Sequence, residues 1–153
     1  MTLRAIRQVP DPVLRAVCDP VARFDADLAA LVQDMFETMY DAPGRGLAAP
    51  QVGETLRLFV MDATWKEGFH DPQAFVNPRI IAASVETFTR EEGCLSIPGR
   101  AVYVTRPAEV TLAWQDIDGT ERAGTFDGFA AACVQHEIDH LDGVLCIDEG
   151  RAE

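Results

Sequence analysis

Two of the three histidines in this 153-residue chain lie four residues apart, in His136-Glu137-Ile138-Asp139-His140. The segment around them is otherwise small and apolar: Ala130, Ala131, Ala132, Cys133, Val134, Ile138 and Leu141. Its pattern predicts a helix from near Asp127 to about Leu141, stopped by Gly143. Residues four apart on a helix lie one turn apart on the same face, so both imidazoles reach one point. Two histidines and a glutamate buried without partners would cost roughly a few kcal/mol each. A metal ion at that point gives the imidazoles their partner. Glu137 then faces a neighbouring sector, where it can touch a water at the ion without ligating it. A fold for this chain must bury the helix, bring a third ligand to it from elsewhere and keep a fourth position open.

The third ligand is a matter of spacing. Thirteen residues follow His140, too few for the separate downstream helix that supplies a glutamate in many zinc proteases. The longer pattern H-E-x-x-H-x-x-G-x-x-H is met at Gly143 but has Cys146 at its last position. Cys146 also reads as a small apolar residue on a short closing strand over residues 144–147. Cys94, in Glu91-Glu92-Gly93-Cys94-Leu95-Ser96, follows a glycine that permits close backbone approach and lies in a polar stretch between strands. The residues favour Cys94 and leave Cys146 open. Cys133, three before His136, is awkward as another ligand from the same helix and is assigned to a pocket wall, while Cys18 carries no signal.

The rest of the chain frames this helix as one domain over residues 1–153. Val9-Pro10, Asp11-Pro12 and Asp19-Pro20 punctuate an irregular N-terminal arm. Leu28, Leu31, Val32, Met35, Phe36 and Met39 then repeat with helical spacing, behind a cap at Asp25 or Asp27 and before a stop at Ala42-Pro43-Gly44. Strands are expected over 56–62, 80–89, 101–105 and 109–115, with Asp116-Ile117-Asp118-Gly119 turning into a return strand over 120–126. Helix, mostly antiparallel strands, helix: the fold class is α+β. With 48% hydrophobic and 25% charged residues the composition excludes disorder. Thirteen Lys and Arg against 25 Asp and Glu give −12, which lacks the basic footprint of a nucleic-acid or anionic-membrane binder. No apolar run is long enough to span a bilayer, and the start of the chain lacks the apolar core of a secretion signal. Four scattered cysteines are expected as reduced thiols in a cytoplasm.

Three separated blocks give the chain a resemblance. Gly44-Arg45-Gly46-Leu47-Ala48-Ala49-Pro50-Gln51, Glu92-Gly93-Cys94-Leu95-Ser96 and Gln135-His136-Glu137-Ile138-Asp139-His140 resemble, in order and spacing, the three signature motifs of the peptide deformylases. The resemblance implies a mixed fold with the second helix buried at its centre. It implies one divalent ion, Fe(II) favoured and Zn, Ni or Co able to replace it, held by Cys94, His136 and His140. The implied reaction is hydrolysis of the N-formyl group from the initiator methionine of a nascent peptide, releasing formate. Glu137 would act as general base and then acid, with the Gln51 amide and the Leu95 backbone N–H as donors to the oxyanion. Arg45, Gly46, Arg90, Gly93 and Cys133 would line the substrate's path, with the glycine segments as strand edges pairing with the peptide; Gly44 and Gly46 can also be read as simply turning the chain after the helix.

Two departures stand out. Position 45 is usually aliphatic in that family and position 90 often apolar, and both are arginines here. Either they point outward or pair with Asp41, Glu91 or Glu92, or they change the substrate preference, for example towards an acidic formylated substrate. The sequence also closes on Asp148-Glu149-Gly150-Arg151-Ala152-Glu153 where many relatives continue into a basic helix, so ribosome docking by that route is left unsupported. Arg100 and Arg106 could hold a peptide's carboxylate end but read as solvated. Beside the deformylase reading stand a deformylase-like amidase with altered preference and a catalytically silent metal- or peptide-binding module. Glu137 and Gln51 argue against the last, because a structural metal site needs neither a general base nor an oxyanion donor.

Overall fold

Strand β2 (Leu58–Met61) is buried along its whole length, and its alternation sets the layers. Leu58 and Val60 belong to one apolar cluster and Phe59 and Met61 to another, because successive side chains of a strand point to opposite faces. The sheet is therefore covered on both sides. The computed structural model describes residues 2–149.

Helix α1 (Ala26–Asp41) covers one face. Its Leu28, Leu31, Val32, Met35 and Met39 stripe packs with Leu47, Leu58, Val60 and Val76, the arrangement its periodicity predicts. Of the two candidate caps, Asp25 is the one used, its carboxylate accepting from the Leu28 N–H at 3.0 Å. The helix stops as Ala42 and Gly44 donate back to Thr38 and Met39.

The larger sheet runs β1-β2-β3-β6-β7, antiparallel throughout, from β1 (Gly46–Ala48), β2, β3 (Gln73–Ala83), β6 (Glu109–Gln115) and β7 (Glu121–Asp127). A second sheet pairs β4 (Thr87–Cys94) with β5 (Ile97–Pro107). Helix α2 (Gly128–Leu141) lies between them, against β1, β2, β5, β6 and β7. It buries Val134, Ile138 and Leu141 among Phe59, Phe75, Leu112 and Trp114. The Phe59 and Phe75 rings stack at 4.5 Å between centroids, and Trp114 tilts against Phe75 at 4.7 Å.

Two elements differ from the sequence reading. The strand expected over 80–89 is two strands, broken where the Ser84 N–H donates to Glu109 O and its hydroxyl to Glu86 O; β3 also begins earlier, at Gln73. The closing strand expected over 144–147 does not form. Cys146–Glu149 is a short helix, α3, whose Asp148 accepts from the Leu145 N–H at 2.9 Å and pairs with Arg15. Its β-branched composition suggested a strand, but local capping and burial of Leu145 and Cys146 beside Leu14, Ile97, Val102 and Val104 decide otherwise.

The N-terminal arm is tied to the site segments: the Arg7 N–H donates to Gln51 O at 2.7 Å and the Val9 N–H to Ser96 O at 3.0 Å. Of the acidic end anticipated at 148–153, residues 150–153 lie outside the described residues. Among the described residues no helix is long and apolar enough to cross a membrane.

Candidate active site

α2 turns His136 and His140 to one side, their Nε2 atoms 3.2 Å apart. Cys94 arrives at the end of β4, where the β4–β5 register shifts after Gly93 and re-aims the side chain. Its Sγ stands 3.4 Å from His140 Nε2, and the three donors lie within 4.8 Å of one another. Cys146 is not among them; it is buried in the cluster around Leu145, where desolvation pushes its thiol up.

These donors fit a metal ion. His136 Nδ1 faces Glu92 Oε1 at 3.0 Å. Burial alone would raise the Glu92 carboxyl, but hydrogen bonds from Arg106 and His136 hold it down, to about 2. An ionised Glu92 requires the proton on Nδ1, which leaves the Nε2 lone pair aimed at the other two donors. A thiolate and two imidazoles converging beside an open cavity suit a tetrahedral divalent ion with one free position.

Glu137 sits at the floor of that cavity under β1. A Cβ built on Gly46 would stand 2.6 Å from Glu137 Oε2 and 2.9 Å from Cys133 Sγ. Gly46 is therefore demanded by the close approach of β1 to α2, beyond any role in turning the chain. Burial pushes the Glu137 carboxyl up to about 7, and its Oε1 has no hydrogen-bond partner among the described residues. A carboxyl balanced near neutrality is suited to taking and returning a proton. The neighbouring Cys133 thiol, fully desolvated, is pushed well up and stays neutral.

The Gln51 amide is oriented from both ends. Its Oε1 accepts from the Ala48 N–H at 2.9 Å, so its NH2 group faces Ser96 Oγ at 3.0 Å and Cys94 Sγ at 3.6 Å. Leu95 occupies the short turn between β4 and β5 and packs its side chain on Gly44. One cavity of about 290 Å³ is lined by every site residue expected from the sequence except His140, with Gly44, Glu91, Glu92, Phe129 and Ala132 completing its wall.

Sequence reasoning missed the support behind the ligands. Arg106, read as solvated, is only 6% exposed. It grips Glu92 with two hydrogen bonds of 2.7 and 2.9 Å and reaches Asp139 at 2.8 Å. A signal existed: Val102, Val104 and Arg106 alternate along β5 onto one buried face. Ser96, fully buried against Gln51, was passed over inside its own motif. The partners expected for the two cavity arginines are also different. Arg45 lies 3.6 Å from Glu67 and stacks over Phe129, and Arg90 stacks over Phe88, so Asp41, Glu91 and Glu92 pair with neither. Glu92 is already held by Arg106.

Comparison with known proteins agrees with this geometry. The Polypeptide deformylase family matches residues 3–153. The peptide deformylase of Rhizobium meliloti (strain 1021) is 50% identical over 148 residues, covering 97% of this chain and 85% of that protein. That of Brucella suis biovar 1 is 51% identical over 148 residues, with the same coverage. Among solved structures, the peptide deformylase from Thermotoga maritima superposes with a TM-score of 0.93 at 41% identity, over 99% of this chain and 100% of that one. An α+β chain whose helix brings two histidines and a glutamate to a cysteine and a glutamine, and which shares half its residues with such relatives over nearly its whole length, belongs to the peptide deformylase family.

Proposed function

We propose that this site removes the N-formyl group from nascent peptides by hydrolysis, with Cys94, His136 and His140 holding one divalent ion, Fe(II) by family resemblance. The observation that carries the reading is a buried carboxyl near neutrality, Glu137, beside three converging metal donors and a fixed amide NH2. A divalent cation here supplies a Lewis acid that brings the deprotonation of a neighbouring water close to neutral pH.

The chain's own residues do the rest. Glu137 takes the proton of the attacking water at its carboxylate. As the C–N bond of the formamide breaks, it returns that proton to the leaving amine, so formate and a free N-terminus are the products. The Gln51 NH2, with the Leu95 N–H in the adjoining turn, donates to the oxygen that gains charge in the tetrahedral transition state. Losing one such donor costs ~3 kcal/mol, about a hundredfold in rate. Gly46 and Gly93 keep the two walls bare, and a Cβ on Gly93 would meet open space, which leaves room for a peptide backbone alongside. Glu92 and Arg106 hold His136 in the ligating tautomer.

The test is Glu137→Gln, which keeps the side chain's shape but cannot carry the proton. Metal content should remain near one ion per chain while formate release from formyl-Met-Ala-Ser falls by at least about a hundredfold. Undiminished turnover would remove Glu137 from the mechanism.

A further inference from the structure

The two oxyanion donors assigned above come from different sheets. Gln51 lies in a single helical turn, Ala49–Val52, that leaves β1, and Leu95 lies in the turn between β4 and β5. Among the described residues no strand ladder joins β1 to β4. One helical turn is too short to keep its shape in water unaided, so Gln51 has to be held from outside it. The N-terminal arm does this. The Arg7 N–H donates to Gln51 O at 2.7 Å and, two residues on, the Val9 N–H donates to Ser96 O at 3.0 Å. The Gln51 NH2 donates to Ser96 Oγ at 3.0 Å, which closes a ring of three hydrogen bonds through the arm, Gln51 and the residue after Leu95. Gln51 and Ser96 are buried, so water does not readily replace a lost partner.

The arm is itself fixed on both sides of this clamp. Before it, the Arg4 N–H donates to Thr38 Oγ1 at 2.9 Å, and the Arg4 guanidinium pairs with Asp34 of α1 at 3.1 Å. After it, the Asp11 N–H donates to Gln8 O at 2.9 Å, and Leu14 is buried with Ile97, Val102 and Val104 of β5. No arm residue lines the catalytic cavity.

We propose that Arg7 and Val9 are positioning residues for the reaction: their main-chain N–H groups fix the spacing between the Gln51 amide and the Leu95 turn, and so the geometry of the two oxyanion donors. This rests on the role given above to Gln51 and Leu95 and adds what holds them in register. A misplacement of about 1 Å in a catalytic group costs up to about a hundredfold in rate. Releasing the arm costs part of that, because Ala48 and Ser96 still hold the Gln51 side chain. The donors act on the transition state, so the loss falls on kcat and kcat/KM alike and leaves KM unchanged.

The test is a matched pair at residue 7 in the metal-loaded full chain. Arg7→Pro deletes the N–H, whereas Arg7→Ala keeps it and removes only the guanidinium that lies over Gly53 and pairs with Asp11. With formyl-Met-Ala-Ser, kcat in Arg7→Pro should be about three- to thirtyfold below that in Arg7→Ala, at equal KM and equal metal content. Equal kcat in the two overturns the clamp and leaves the deformylase reading standing. In a Gln51→Ala background the same pair should differ little, because the donor being steadied is gone. A strut with a purely structural role lowers kcat by the same factor in both backgrounds, and that additivity also overturns the clamp. A second variant removes the N–H without a proline ring: a synthetic 1–17 arm with an ester in place of the residue 7 amide, joined to the rest of the chain at Cys18 by thioester ligation. It should reproduce the loss in kcat; wild-type kcat there overturns the clamp even if Arg7→Pro fails to fold. Undiminished turnover in Gln51→Ala alone overturns the oxyanion role itself, and the clamp with it.

Discussion

Replacing Arg106 by methionine keeps most of the buried stem and removes the fork that grips Glu92. In the wild-type chain the guanidinium satisfies both Glu92 oxygens, reaches Asp139 and lies 3.8 Å from Glu149, at 6% exposure. Without it a carboxylate with 9% exposure keeps only His136 as partner, beside two further acids. Breaking a buried pair from one side costs ~3–5 kcal/mol, because the remaining charge is left desolvated. The Glu92 carboxyl gives an upper figure: held at about 2 by Arg106 and His136 together, it lies roughly two units below a free glutamate's ~4.3, or ~3 kcal/mol shared between the two partners. Either figure is a large part of a typical ~5–15 kcal/mol domain stability. Urea unfolding of the metal-free chain should therefore show a loss of ~3 kcal/mol or more. Chelator competition should show metal binding weakened by about 10- to 100-fold as His136 loses its orienting partner. Arg106→Lys should fall between, since lysine restores the charge without the fork. Arg106→Met/Glu92→Gln should recover part of the stability by removing the orphaned charge. If Arg106→Met stays within ~1 kcal/mol of wild type and binds metal equally well, the guanidinium is not what holds Glu92.

Gly46→Ala places a methyl 2.6 Å from Glu137 Oε2, so turnover should fall by more than about tenfold, with a stability loss of ~1–3 kcal/mol in thermal unfolding; unchanged kcat would show that β1 can retreat from α2. Cys94→Ala should abolish tight metal binding. Cys146→Ala should bind metal normally and lose only ~1 kcal/mol from its buried site; a metal assay giving the reverse ranking would move the third ligand. The Asp34 carboxyl is held below its ordinary value by the Thr2 N–H and, after burial's opposing effect, by Arg4. The arm's attachment to α1 is thus fully present above a free aspartate's pKa of ~3.9 and lost as pH falls through the lowered value; an NMR titration of Asp34 with a midpoint at or above the free value would contradict this.

The chain's periodicities and motifs were enough to find both long helices and the α+β class, and they named the residues that the fold brings around one cavity. Each of those signals is local: a 3.6-residue stripe from Leu28 to Met39, two histidines one turn apart, a glycine before a cysteine. The choice between Cys94 and Cys146 was not local, and spacing along the chain left it open. Folding separates the two, by ending β4 so that Cys94 stands beside the histidines and by burying Cys146 under β5.

The sequence by itself determined which reactive side chains are available to this cavity, because two histidines one turn apart and a glutamate beside them are fixed by their order along one helix. Only the tertiary structure decided what surrounds them. Arg106 beneath Glu92, Ser96 behind Gln51, Glu137 pressed against Gly46 and two arginines drawn out over phenylalanines all join residues far apart in the chain. The strand expected at 144–147 failed for the same reason: a cap from Asp148 and an ion pair to Arg15 overrode its propensity. Composition and periodicity describe neighbours along the chain, whereas burial and charge pairing depend on neighbours in space, and those exist only once the sheets have closed around α2.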